Sequence, residues 1–226
     1  MNADPVPGRL EGRSALVVRA GSAFGRTTVE RLAAEGALTH VHEGDGADAG
    51  ERRAAISAHR LLDLLVVPPP VIASRRLLET GPGDHRAVVA AALRTTFLLA
   101  QEAARTMTAG GRICLASPVR PASVPAWMPA PATLVEGGLV AMVRLLAVEL
   151  APRRIAVNAL CPIARDADPA DFAAGAAFLA SADASYVTGA CLPILGGETR
   201  RGTRGAWPPD AETPAPHGPA HLDAEE

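Results

Sequence analysis

The chain has 226 residues, of which 48% are apolar and 20% charged, with a formal net charge of −2. Such a length and composition suit one soluble globular domain with a substantial core. The near-neutral charge argues against an electrostatic nucleic-acid or membrane-surface partner, and no apolar run reaches the ~20 residues of a bilayer span.

Met1–Arg13 has no apolar stretch of signal-peptide type and reads as an N-terminal extension. Ser14–Val18 (SALVV) is a short apolar run, a buried strand. Phe24–Glu35 follows as an amphipathic helix, with Val29, Leu32 and Ala33 on one face and Gly36 as its stop. Leu38–His42 is a second strand, Glu51–Arg60 a helix, and Leu61–Val67 a third strand halted by Pro68, Pro69 and Pro70. Asp84–Met107 is a long Ala- and Leu-rich helix, closed by Gly110 and Gly111. Arg112–Ala116 is a strand, and the proline-studded stretch Pro118–Pro131 an irregular loop. Ala132–Leu150 is a helix that Pro152 ends, Ile155–Leu160 a strand, Ala170–Ser181 a helix and Ala190–Leu195 a last strand. The alternation predicts a three-layer α/β domain, a doubly wound parallel sheet covered by helices on both faces, over residues 14–197. Residues 198–226 are rich in Pro, Gly and charge, and disorder is expected there, with Trp207 as a possible docking residue.

The three cysteines, Cys114, Cys161 and Cys191, are widely spaced, without CxxC or zinc spacing, and read as core thiols of a reduced, cytoplasmic protein. All 22 basic residues are arginine, and Tyr186 is the one tyrosine.

The stretches GRSALVV, FGRTTVERLAAEGA, LDLLVV, GGRICLAS, VRLLAVELAPRRIAVNALCP, AAFLAS and ASYVTGACLPILGG run from Gly12 to Gly197. In this order they resemble the short-chain dehydrogenase/reductase family. The resemblance implies a Rossmann sheet, NAD(P) chemistry and a homodimer or tetramer. It also implies a catalytic Ser, a Tyr and Lys one helical turn apart, and an Asn on the long helix.

The family positions are occupied otherwise here. The glycine-rich turn TGxxxGxG falls on Val18–Gly25, where Arg19 and Ala23 replace the first two glycines and Gly25 survives. Arg19 either crowds the pyrophosphate site or offers a charge to a phosphate, and Gly21 leaves open a shifted turn. Glu43 matches the acidic position that holds an adenine ribose. The Asn-Asn-Ala-Gly segment reads Val67–Pro70; the Asn position is Ala92, the Ser position Pro118 beside Ser117, the Tyr position Ala132 and the Lys position Glu136. A general acid needs a titratable proton in reach, which Pro118 and Ala132 lack, and Glu136 would raise a neighbouring acid's pKa. No cofactor is therefore expected, and no metal.

Lengths point the same way. The 19 residues between His42 and Leu62 suffice for one crossover, whereas two crossovers and a strand need nearly ~30. One strand and its helix, the family's third edge strand, are expected to be missing, leaving six. Seven residues, Ile163–Pro169, replace the substrate lid.

The helices 84–107 and 132–150 keep broad apolar surfaces, including Leu93, Phe97, Leu98, Leu139, Met142 and Leu146, with Arg94 and Val143 taken as outward-facing. They suggest pairing with a second copy or with an active family paralogue. The expectation is a degenerate, non-redox subunit. The alternatives are a repurposed isomerase, cyclase or dehydratase, and an ordinary NAD(P)-dependent reductase. For a new site the candidates are Ser117, Trp127, Glu136 and Cys161. Their plainer roles are a strand end, a helix-start acid and core packing. His40 and His42 share one strand face and lack a third metal ligand; His85 stands near a helix start without an identifiable partner.

Overall fold

A computed structural model describes residues 4–59, 61–70, 80–117, 130–162 and 168–194. The expected tail 198–226, with Trp207, and the loop residues Pro118 and Trp127 lie outside them. Six strands are present among the described residues: β1 Ser14–Val18, β2 Leu38–His42, β3 Leu64–Val66, β4 Arg112–Ala116, β5 Ala156–Pro162 and β6 Cys191–Ile194. They form one parallel sheet in the order β2-β1-β3-β4-β5-β6. Between β2 and β3 only α2, Ala49–Ser57, intervenes, so β2 is an edge and the expected outer strand is missing.

Helices α1 (Ala23–Ala34) and α6 (Pro169–Ala180) cover one face, where Leu32, Phe172 and Ala176 pack on Val17, Leu64 and Leu160. Phe24 meets Phe172 edge-on at 5.5 Å, a favourable ring geometry. The other face is covered by α2, by the continuous helix Pro82–Thr106 and by α5, Ala130–Leu150. Within the long helix, α3 (Pro82–Val89) passes through a π-helical segment, Ala90–Arg94, into α4 (Thr95–Thr106). Thr95 Oγ1 donates to Ala90 O at 3.0 Å at that wide turn. By length and composition this helix meets the criterion for a membrane span, contrary to the sequence expectation (mean hydropathy 1.2). Leu99, Ala100, Ala103 and Ala104 place its inward stripe in the domain core.

Several expected boundaries move. The third strand contracts from Leu61–Val67 to Leu64–Val66, because Leu61 is exposed and Asp63 turns to accept from Ser14 N at 2.9 Å. The long helix starts at Pro82, whose fixed φ and missing N–H suit a first helical position. On α1 the buried stripe is Gly25, Thr28 and Leu32, continued by Glu35, with Ala33 exposed. Val143, expected outward, is fully buried; α5 is apolar on both sides, so its pattern did not set its rotation.

The segment before β1 contributes to the domain. Leu10 is buried and its N–H donates to Glu35 O at 2.8 Å. The buried Glu35 carboxylate accepts from Arg9 (Nε and Nη2, both 2.7 Å) and from Arg31 (Nε, 2.6 Å). At the shortened crossover, buried Arg52 donates to Gly46 O at 2.8 Å and holds the loop ahead of α2.

Candidate functional site

In a doubly wound sheet the ligand crevice lies at the carboxyl ends of the strands where the order reverses. Here β2 and β3 flank β1, which puts the crevice beyond Val18 and Val66. Arg19, the first residue past β1, has φ 53°, a left-handed conformation that costs a side-chain-bearing residue ~1–2 kcal/mol. Its guanidinium crosses the crevice, donating to Pro68 O after β3 and to Ala91 O in the π segment, each at 3.1 Å. Burial pulls the Arg19 pKa below its ordinary value, opposed by the charge of Asp45.

The turn is closed around the Arg19 carbonyl. Ser22 caps α1 by accepting from Gly25 N at 3.0 Å, and donates through Oγ to Arg19 O at 2.8 Å. A Cβ on Gly25 would come within 2.2 Å of Arg19 O, so only glycine fits there. Gly21 is exposed, with nothing near a built Cβ, and Ala23 is the exposed first residue of α1. Ser22 is the cap, and Gly21 precedes it in the turn. Glu43 is exposed just past β2.

The other expected positions fall in three groups. Ala92 is buried on the π segment, and Pro68, Pro69 and Pro70 are buried beyond β3. Pro118 lies outside the described residues, as does the side chain of Ala132, whose backbone belongs to α5. Glu136 is half-buried on α5. Tyr186 is fully exposed on the segment leading into β6, away from the crevice.

On the α5 side of the sheet a second group forms that the sequence did not join. Ser117 follows β4 beside Cys161 of β5, its N–H donating to Leu160 O at 3.0 Å. The Ser117 hydroxyl and the Cys191 thiol of β6 both lie close enough to the Cys161 thiol to act on its titration. Burial pushes the Cys161 pKa up to about 11. Cys191 is also raised, by its burial, against the nearby charge of Arg144. Spacing in sequence gave no signal for Cys191; only the β5–β6 register brings it there.

His40 and His42 lie on the open edge of β2. The His40 ring lies against that of His59, just past α2, centroids 3.9 Å apart, and a cavity of about 610 Å³ runs between β2 and α2. Desolvation, then the charge of His40, lowers the pKa of His59. Among the described residues no three His, Cys, Asp or Glu side chains are grouped to hold a metal ion. His85 is exposed in the first turns of α3.

Below the crevice, Asn158 of β5 latches the chain entering β6. Its Nδ2 donates to Val187 O at 2.8 Å and its Oδ1 accepts from Ala190 N at 3.0 Å.

Comparison with known proteins places this geometry. Residues 10–167 match the family model described as enoyl-(acyl carrier protein) reductase. A (3R)-3-hydroxyacyl-CoA dehydrogenase of Rattus norvegicus is 29% identical over 253 aligned positions, covering 84% of this chain and 97% of the relative. The cyclic-di-GMP-binding biofilm dispersal mediator protein of Escherichia coli is 26% identical, covering 84% and 98%. Among solved structures, a short-chain dehydrogenase/reductase from Serratia marcescens superposes with a TM-score of 0.75 at 30% identity, covering 84% and 98%.

Proposed function

The chain belongs to the short-chain dehydrogenase/reductase family, and from that premise we propose that it is a catalytically degenerate, non-redox member. It acts as a structural or regulatory subunit in the cytoplasm, paired with itself or with an active paralogue. The observation that carries this reading is Arg19. A dinucleotide needs its pyrophosphate against the backbone of the turn after β1. The Arg19 side chain spans the crevice in front of that turn, tied to Pro68 and Ala91. These residues do not fit the cofactor.

The proton chemistry points the same way. With no lysine in the sequence and Tyr186 exposed before β6, no Tyr–Lys pair is available to transfer a proton. What remains is surface. Leu134, Leu145 and Val148 of α5 are exposed along one side, with Phe97 on α4. Exposed large apolar residues on these helices favour a partner.

Calorimetry with NAD(H) and NADP(H), followed by native pull-down, tests the reading. No micromolar binding and a co-purifying family member or second copy support it; a micromolar dissociation constant for any nucleotide overturns it. The second reading, a repurposed isomerase, cyclase or dehydratase, is favoured by the Ser117–Cys161–Cys191 group beneath α5. A bound small molecule in protein purified from its host would favour it.

A further inference from the structure

The pairing of β5 with β6 sets Ala159 opposite Cys191 and Cys161 opposite Pro193. Cys161 and Cys191 therefore stand on the same sheet face, as diagonal neighbours two residues apart along the strands. Their thiols are close enough to act on each other's titration, and both cysteines are free. Cys161 is buried, Cys191 half-buried, so the pair is reached from the β6 side.

This register disfavours a direct disulfide. Diagonal neighbours have Cα atoms ~7–8 Å apart, whereas a disulfide needs Cα separations of about 4.4–6.8 Å and an S–S bond of about 2.05 Å. A bridging ion is a different matter. A metal–sulfur bond is ~2.3 Å, so one ion joins sulfurs roughly 4 Å apart without moving a strand.

We propose that Cys161 and Cys191 form a two-thiolate site for a soft d10 cation, with Cu(I) as its type, bridging β5 to β6. Thiolate ligands select such ions over harder ones. Burial works against the charged product, since it raises both thiols, while the Ser117 hydroxyl beside Cys161 and the positive charge of Arg144 near Cys191 favour it. Glu136, whose charge acts on both thiols, opposes it. Binding exchanges two protons for one ion: two thiols and Cu(I) give a bis(thiolate)copper(I) anion and two free protons. No electron is transferred.

The full-length reduced protein is titrated anaerobically with Cu(I) held by bathocuproine disulfonate. The wild type is expected to withdraw about one Cu(I) per chain, with thiolate-to-copper absorption in the near ultraviolet. Cys161→Ser and Cys191→Ser should each lose roughly tenfold or more in affinity, while Cys114→Ser retains it. Uptake should weaken as the pH falls. No withdrawal by the wild type overturns the proposal without reference to any variant. So does equal uptake by Cys191→Ser, or peptide mapping that finds a Cys161–Cys191 disulfide after mild oxidation.

Discussion

Arg9 holds Glu35 by two parallel hydrogen bonds of 2.7 Å, fixing the segment before β1 to the end of α1. Burial alone would raise the Glu35 pKa, but the hydrogen bonds from Arg9 and Arg31 outweigh it and lower it. A carboxylate with a depressed folded pKa contributes stability that is present above its unfolded value, ~4.3. That contribution is lost as the pH falls through the lower folded value.

Glu35→Gln should therefore cost about 3 kcal/mol at neutral pH, by leaving two arginines unpaired in a buried site. The difference from wild type should shrink below about pH 4. Urea melts from neutral to acid pH check this; a constant difference would show that the pair does not contribute as described.

Arg19→Gly removes a left-handed side chain and two charge-assisted hydrogen bonds. Relief of ~1–2 kcal/mol of backbone strain offsets part of the lost bonding. The variant should stay folded and bind NADH roughly tenfold or more tighter than wild type. Unchanged binding by calorimetry would mean that Arg19 is not the obstruction.

Substitution on α5 should separate surface from core. Leu145 and Val148 are exposed, so Leu145→Glu with Val148→Glu should dissociate the proposed pair at a cost below about 0.5 kcal/mol each to the fold. Val143→Glu puts a charge into the sealed core and should cost roughly 3–5 kcal/mol. Light scattering and thermal melts distinguish the two; a monomeric wild type removes the surface argument.

Asn158→Ala leaves Val187 O and Ala190 N without their partner. A cost of about 2 kcal/mol is expected, with faster hydrogen exchange at Ala190. Unaltered exchange there would show that the latch is redundant.

Much of this domain is legible in its sequence because strand periodicity and crossover length are local. The parallel sheet and the absent outer strand follow from run composition and from the short stretch between His42 and Leu62. Position matching in the turn after β1 located Arg19, but not its bonds to Pro68 and Ala91, residues distant in sequence. The rotation of α5 was illegible since apolar residues surround it, and Val143 fell on the wrong side. The sequence gives no signal for the pairing of Glu35, because its partner Arg9 arrives from outside the helix. The Cys161–Cys191 contact depends on strand register, which no spacing along the chain encodes.

Removal of the outer strand moved the frontier of the sheet inward to β2. A bare strand edge is a template for further strands, the first step of fibrous association. This one is only five residues long, carries histidine at two of them, and has His59, just past α2, lying against His40. So short a rim gives a second strand few backbone groups to pair with, which limits edge-to-edge growth.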